Sequence, residues 1–121
     1  MNIQISHHLL LCATPNKGLC CPNSKGKATW ETLKELLKKL NLENHQRPEG
    51  IVLRSKVDCL RVCKEGPILL VWPDGIWYGE VTRERIEVII YKHIIEGIAL
   101  KDWMIKCTPL SCNPLSINQQ D

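Results

Sequence analysis

Seven cysteines stand in this 121-residue chain, at positions 12, 20, 21, 59, 63, 107 and 112. Cys59 and Cys63 form a C-x-x-x-C pair directly ahead of the apolar run "PILLVW", while Cys12 closes the apolar stretch "HHLLLC" and Cys20 and Cys21 follow in a loop. Two separated cysteine groups at strand ends are how a chain gathers four thiolates around one centre, because the strand fixes one sulfur and a short loop turns the second inward. Four thiolates admit zinc or an iron–sulfur cluster. Spacing alone does not choose between them.

Zinc ligand pairs usually stand two to four residues apart, which Cys59 and Cys63 satisfy and the eight-residue gap between Cys12 and Cys21 does not. Thioredoxin-type thiol chemistry calls for C-x-x-C before a helix, and the chain has no such pair. Local charge favours the cluster. Lys17, Lys25 and Lys27 flank one cysteine loop, and Arg54, Lys56, Arg61 and Lys64 flank the other. A two-iron centre on four thiolates is anionic, so neighbouring cations stabilise it. Gly66 would let backbone N–H groups approach a sulfur. A zinc-stabilised interaction module and a cysteine-based redox sensor stay open as alternatives. His7 and His8 precede Cys12 too early for a two-histidine iron centre. Cys107 and Cys112 read either as free thiols or as a reversible disulfide or accessory metal contact.

The elements that must position these groups show in the periodicity. Residues 3–12 read as a strand ending at Cys12, and residues 13–29 as a loop rich in Pro, Gly, Asn and Lys. From Trp30 the spacing becomes helical. Leu33, Leu36, Leu37 and Leu40 share its face and Lys34, Lys38 and Lys39 the other, so a helix is expected over 29–41 with Thr29 as N-cap. "IVLRSKV" reads as a second strand running down to Cys59. "PILLVW" has the length and apolarity of a central strand covered on both faces, and "PDG" then turns the chain into "IWYGEV", a hairpin over 67–81. Thr82 caps a second helix with Ile86, Ile89, Ile90, His93 and Ile94 on its apolar face, which Gly97 ends. "LKDWMI" suggests one further short element, and residues 107–121 a flexible tail. The order is β-α-β-β-β-α, a single α/β domain over 1–106.

Composition bounds the rest. With 44% hydrophobic and 24% charged residues the chain reads as an ordinary soluble globular domain, and a net charge of +3 is too mild for a nucleic-acid partner. No apolar run is long enough to span a bilayer, and the opening lacks the basic and long apolar regions of a secretory signal, so a reducing cytoplasmic setting is expected. No residues suggest a hydrolytic triad, and no enzymatic activity is expected.

The strings "LLLCATPNKGLCC", "KVDCLRVCKEGPILLVWPDGIWYGEVT" and "HIIEGIALKDW" resemble the thioredoxin-like [2Fe-2S] ferredoxins, a family related to the small cluster-carrying subunit of NADH-oxidising complexes. The similarity covers about residues 5–106. It implies a thioredoxin-like fold with a mixed central sheet, and a one-electron [2Fe-2S] centre held by Cys12, one cysteine of the Cys20–Cys21 pair, taken as Cys21, and Cys59 and Cys63. It also implies redox protein partners and, often, a homodimer.

Overall fold

The computed structural model describes residues 4–12, 23–57 and 66–107. Strand β1 (Ile5–Cys12) alternates between two surroundings, as a pleated strand must. Leu9 and Leu11 are fully buried in the main core with the helices, whereas Cys12 belongs to a smaller cluster with Ile68 on the other side of the sheet. Beside β1 runs β2 (Ile51–Val57) in parallel, and on its other flank lies β3 (Leu69–Trp72), antiparallel. β4 (Ile76–Tyr78) and β5 (Met104–Cys107) complete a five-stranded mixed sheet in the order β2-β1-β3-β4-β5.

A parallel neighbour requires a crossover, and α1 (Asn23–Lys39) supplies it between β1 and β2. The second helix, α2 (Arg83–Ile89), runs on into a π-helical stretch, Ile90–Ile95. Trp30, Leu33, Leu36 and Leu37 from α1 meet Ile86, Ile89, Ile90 and Ile94 over Leu9, Leu11, Val52, Leu69 and Val71. Burial of these side chains, roughly 1.5–3 kcal/mol each, is the main force holding the helices to the sheet.

Most expected elements form where the periodicity places them. β2 spans the seven residues of "IVLRSKV", and Leu69, Leu70 and Val71 are all buried, as a strand covered on both faces requires. Asp74 and Gly75 turn the hairpin, with Gly75 at φ 70° donating its N–H to Val71 O at 2.7 Å. Thr82 caps α2 by accepting the Arg85 N–H at 3.3 Å, and Gly97 ends the helical stretch at φ 78°. "LKDWMI" resolves into a 3-10 turn, Lys101–Trp103, and the start of β5, so the order gains a closing strand.

The first helix departs from expectation. It begins at Asn23, so Thr29 is not its N-cap. Instead Thr29 lies inside the helix, fully buried, and its hydroxyl donates to Val81 O at 2.7 Å. Gly, Ser and Asn made residues 23–28 look like loop, but packing of the following apolar face carries the helix through them.

Gly50 is where β2 enters the sheet. Its φ is +105° and a Cβ there would stand 2.8 Å from Ser6 N, so only glycine allows the close approach that lets Ile51 N–H bond Gln4 O at 2.9 Å.

Candidate functional site

Cys12 ends β1, fully buried, with its backbone N–H bonded to Ile68 O at 3.0 Å. Its register partner across the parallel ladder is Val57, the last residue of β2. Val57, Trp77 and Ile105 pack against the Cys12–Ile68 pair and form an apolar wall around it. Residues 58–65, which carry Cys59 and Cys63, therefore leave the described structure beside Cys12 at Val57 and rejoin it at Gly66, two residues before the backbone partner of Cys12. Residues 13–22, which carry Cys20 and Cys21, begin at the residue after Cys12. Cys20, Cys21, Cys59 and Cys63 themselves lie outside the described residues, so of the expected ligands the structure places Cys12.

The cations expected near the site divide the same way. Lys17, Arg61 and Lys64 lie outside the described residues, while Lys25 and Lys27 are exposed in the first turns of α1. Lys56, also exposed, precedes Val57 and holds its ammonium 5.5 Å from the Trp30 ring centre. Arg54 stacks on the same ring at 5.1 Å and pairs with Glu43 at 3.4 Å. On the Cys12 side, Lys106 Nζ stands 5.6 Å from the ring centre of Trp77, whose indole Nε1 is buried and has no hydrogen-bond partner among the described residues.

A second constellation escaped the sequence reading. Near the other end of β1, Leu100 N–H donates to the Tyr78 hydroxyl at 3.0 Å, and that hydroxyl lies 2.8 Å from His93 Nδ1. His93 Nε2 lies 2.5 Å from Asp74 Oδ2, and His7 Nε2 stands 3.7 Å from the same carboxylate oxygen. Since the Leu100 amide can only donate, the arrangement that pairs every hydrogen has Tyr78 donating to Nδ1 and the proton of neutral His93 on Nε2, facing Asp74. Burial pushes the Tyr78 hydroxyl's pKa up, and burial likewise lowers that of His7, against the opposing pull of Asp74. His93 was read as a core residue, and it is 2% exposed. What the apolar spacing of the helix hid is that a buried imidazole needs partners. The only available signal was an Asp in the hairpin turn and a Tyr in the next strand.

His8 points away from this network and bonds Ser55 through Nε2 at 2.8 Å. Cys107 closes β5 and takes part in a disulfide, so it is not a free thiol, while Cys112, with which it was expected to pair, lies outside the described residues. Among the described residues no group of three or more His, Cys, Asp or Glu side chains is arranged to hold a metal ion, and no helix is long and apolar enough to cross a membrane.

No family model matches the chain. A [2Fe-2S] ferredoxin of Clostridium pasteurianum is 30% identical to it over 100 residues, covering 78% of this chain and 91% of the relative. A protein of Priestia megaterium described as a putative 2Fe-2S ferredoxin is 27% identical over 99 residues, covering 82% of this chain and 69% of that one. Among solved structures, a thioredoxin-like [2Fe-2S] ferredoxin from Aquifex aeolicus superposes with a TM-score of 0.69 at 22% identity, over 85% of this chain and 93% of that one. A second structure of that ferredoxin, the wild type, gives 0.68 over 84% and 98%.

Proposed function

The chain belongs to the [2Fe-2S] ferredoxins and has their thioredoxin-like fold, and from that premise we propose that it carries single electrons on a [2Fe-2S] cluster held by the thiolates of Cys12, Cys21, Cys59 and Cys63. The observation that supports the ligand set is that Cys12 is paired with Val57 and hydrogen-bonded to Ile68, the two residues that bracket in sequence the segment carrying Cys59 and Cys63. The surroundings of Cys12 suit the group: a buried residue in an apolar wall, a neighbouring indole N–H without an acceptor among the described residues, and the Lys106 ammonium beyond it. Bound there, a [2Fe-2S] centre takes up and returns one electron.

The protein's own part is to hold the thiolates on a rigid strand end and to keep water from Cys12. Val57, Ile68, Trp77 and Ile105 do the second. Adjacent cysteines point in different directions, so one of Cys20 and Cys21 binds, and we take Cys21. No substrate is altered by the chain itself.

We read the partners as redox proteins with acidic surfaces, because Lys25, Lys27 and Lys56 are exposed on the elements flanking Cys12. A homodimer in the cytoplasm is the assembly we favour, and Trp72, 40% exposed at the end of β3, offers an apolar contact for it. The deciding experiment is visible absorption and electron paramagnetic resonance of anaerobically purified protein with iron and sulfide assays. A coloured protein with about two irons and two sulfides per chain is expected. A colourless chain that cannot be reconstituted with iron and sulfide would overturn the reading, and a single zinc without sulfide would make the chain a zinc-stabilised module.

A further inference from the structure

We infer that the indole N–H of Trp77 donates a hydrogen bond to a sulfur of the cluster, which makes Trp77 a positioning residue that raises the reduction potential; this rests on the cluster reading above. Two side-chain nitrogens are buried without a hydrogen-bond partner among the described residues, Arg54 Nε and Trp77 Nε1. Arg54 is electrostatically matched, since its Nε lies 3.4 Å from the Glu43 carboxylate. Trp77 has no such neighbour. A buried donor without an acceptor is rare in native folds and asks for one that is not yet in view.

Its position says which acceptor. Trp77 pairs with Leu70 in β3, and Leu70 pairs with Leu10 in β1, two residues from Cys12 on the same side of the strand. The indole packs against the Cys12–Ile68 pair, and Lys106 stands over its ring. The face of the sheet that carries the buried thiol thus also carries a buried donor that has no acceptor among the described residues. Indole is a donor only, and the sulfurs of an anionic cluster are acceptors. A hydrogen bond to them favours the reduced form, which carries the extra negative charge.

Trp77→Phe keeps the ring and removes the N–H. The expected result is unchanged iron and sulfide content with a midpoint potential shifted negative, a shift of about 59 mV corresponding to a tenfold loss in the one-electron reduction equilibrium. In parallel, pulsed electron paramagnetic resonance on the reduced parent protein, grown with indole-15N tryptophan, is expected to show a 15N coupling that is lost in Trp77→Phe. A loaded variant with unchanged potential, or a loaded parent without the coupling, overturns the inference. If the variant does not fold, the labelled parent decides alone. A parent that binds no iron and sulfide overturns the cluster reading and this inference with it, so the two failures are told apart by the metal assay.

Discussion

The Tyr78 hydroxyl stands 2.8 Å from His93 Nδ1, a bond that ties β4 to the π-helical stretch after α2. Its other contact is the Leu100 amide at 3.0 Å. Tyr78→Phe would leave both groups buried and unpaired, and a loss of about 1–3 kcal/mol in unfolding free energy is expected, read from the denaturant midpoint. Cluster content should not change, because the bond lies outside the Cys12 wall.

His7 gives the fold a pH dependence. Burial holds its pKa below the ordinary value of 6.5, with Asp74 pulling it up and His93 and Arg47 pushing it further down. Because the unfolded chain takes up the proton more readily, this stabilising contribution is complete above pH 6.5 and is lost as the pH falls from there through the folded value. Thermal unfolding between pH 7.5 and 5 should show a falling midpoint. His7→Gln should flatten that slope, and an equally steep slope in the variant would refute the assignment to His7.

Thr29 links α1 to Val81, in the connection between β4 and α2, by its 2.7 Å hydroxyl bond. Thr29→Val, of the same shape, should cost about 1–2 kcal/mol by leaving the carbonyl unpaired, while Thr29→Ser keeps the donor and should lose less. Chemical denaturation of the two variants side by side measures the difference.

The ligand assignment predicts an asymmetry between neighbouring cysteines. Cys12→Ser and Cys21→Ser should abolish or markedly alter the cluster's absorption and its spectrum in the reduced state, and Cys20→Ser should leave both as in the parent. Iron and sulfide assays on the three proteins check it, and the reverse result for residues 20 and 21 would move the ligand by one position.

Much of the fold was legible because it rests on periodicity. "IVLRSKV" and "PILLVW" carry their burial in their apolar pattern, and Thr82 and Gly97 mark the ends of the second helical stretch by their own backbone preferences. The start of α1 was hidden, since Asn23, Ser24 and Gly26 favour loops over helix and the apolar face that packs on the sheet begins only at Trp30. At the site, the cysteine types and spacings pointed to a four-thiolate centre without choosing its metal, and the parallel register that sets Cys12 beside Val57, two positions before Cys59 in the sequence, depends on a strand pairing that no local pattern reveals. Trp77 and the Tyr78–His93–Asp74 network were illegible because each depends on partners from separate elements brought together by the sheet order.

β2 is an outer strand of the sheet, bonded to β1 on one side. An outer strand is a template for another chain to add to, and this one bears the exposed ammonium of Lys56 near its end. A second copy adding there would meet that charge. Lys56, read above as part of a guide for partners, thus also acts as a guard against runaway strand addition, which would end in insoluble aggregates.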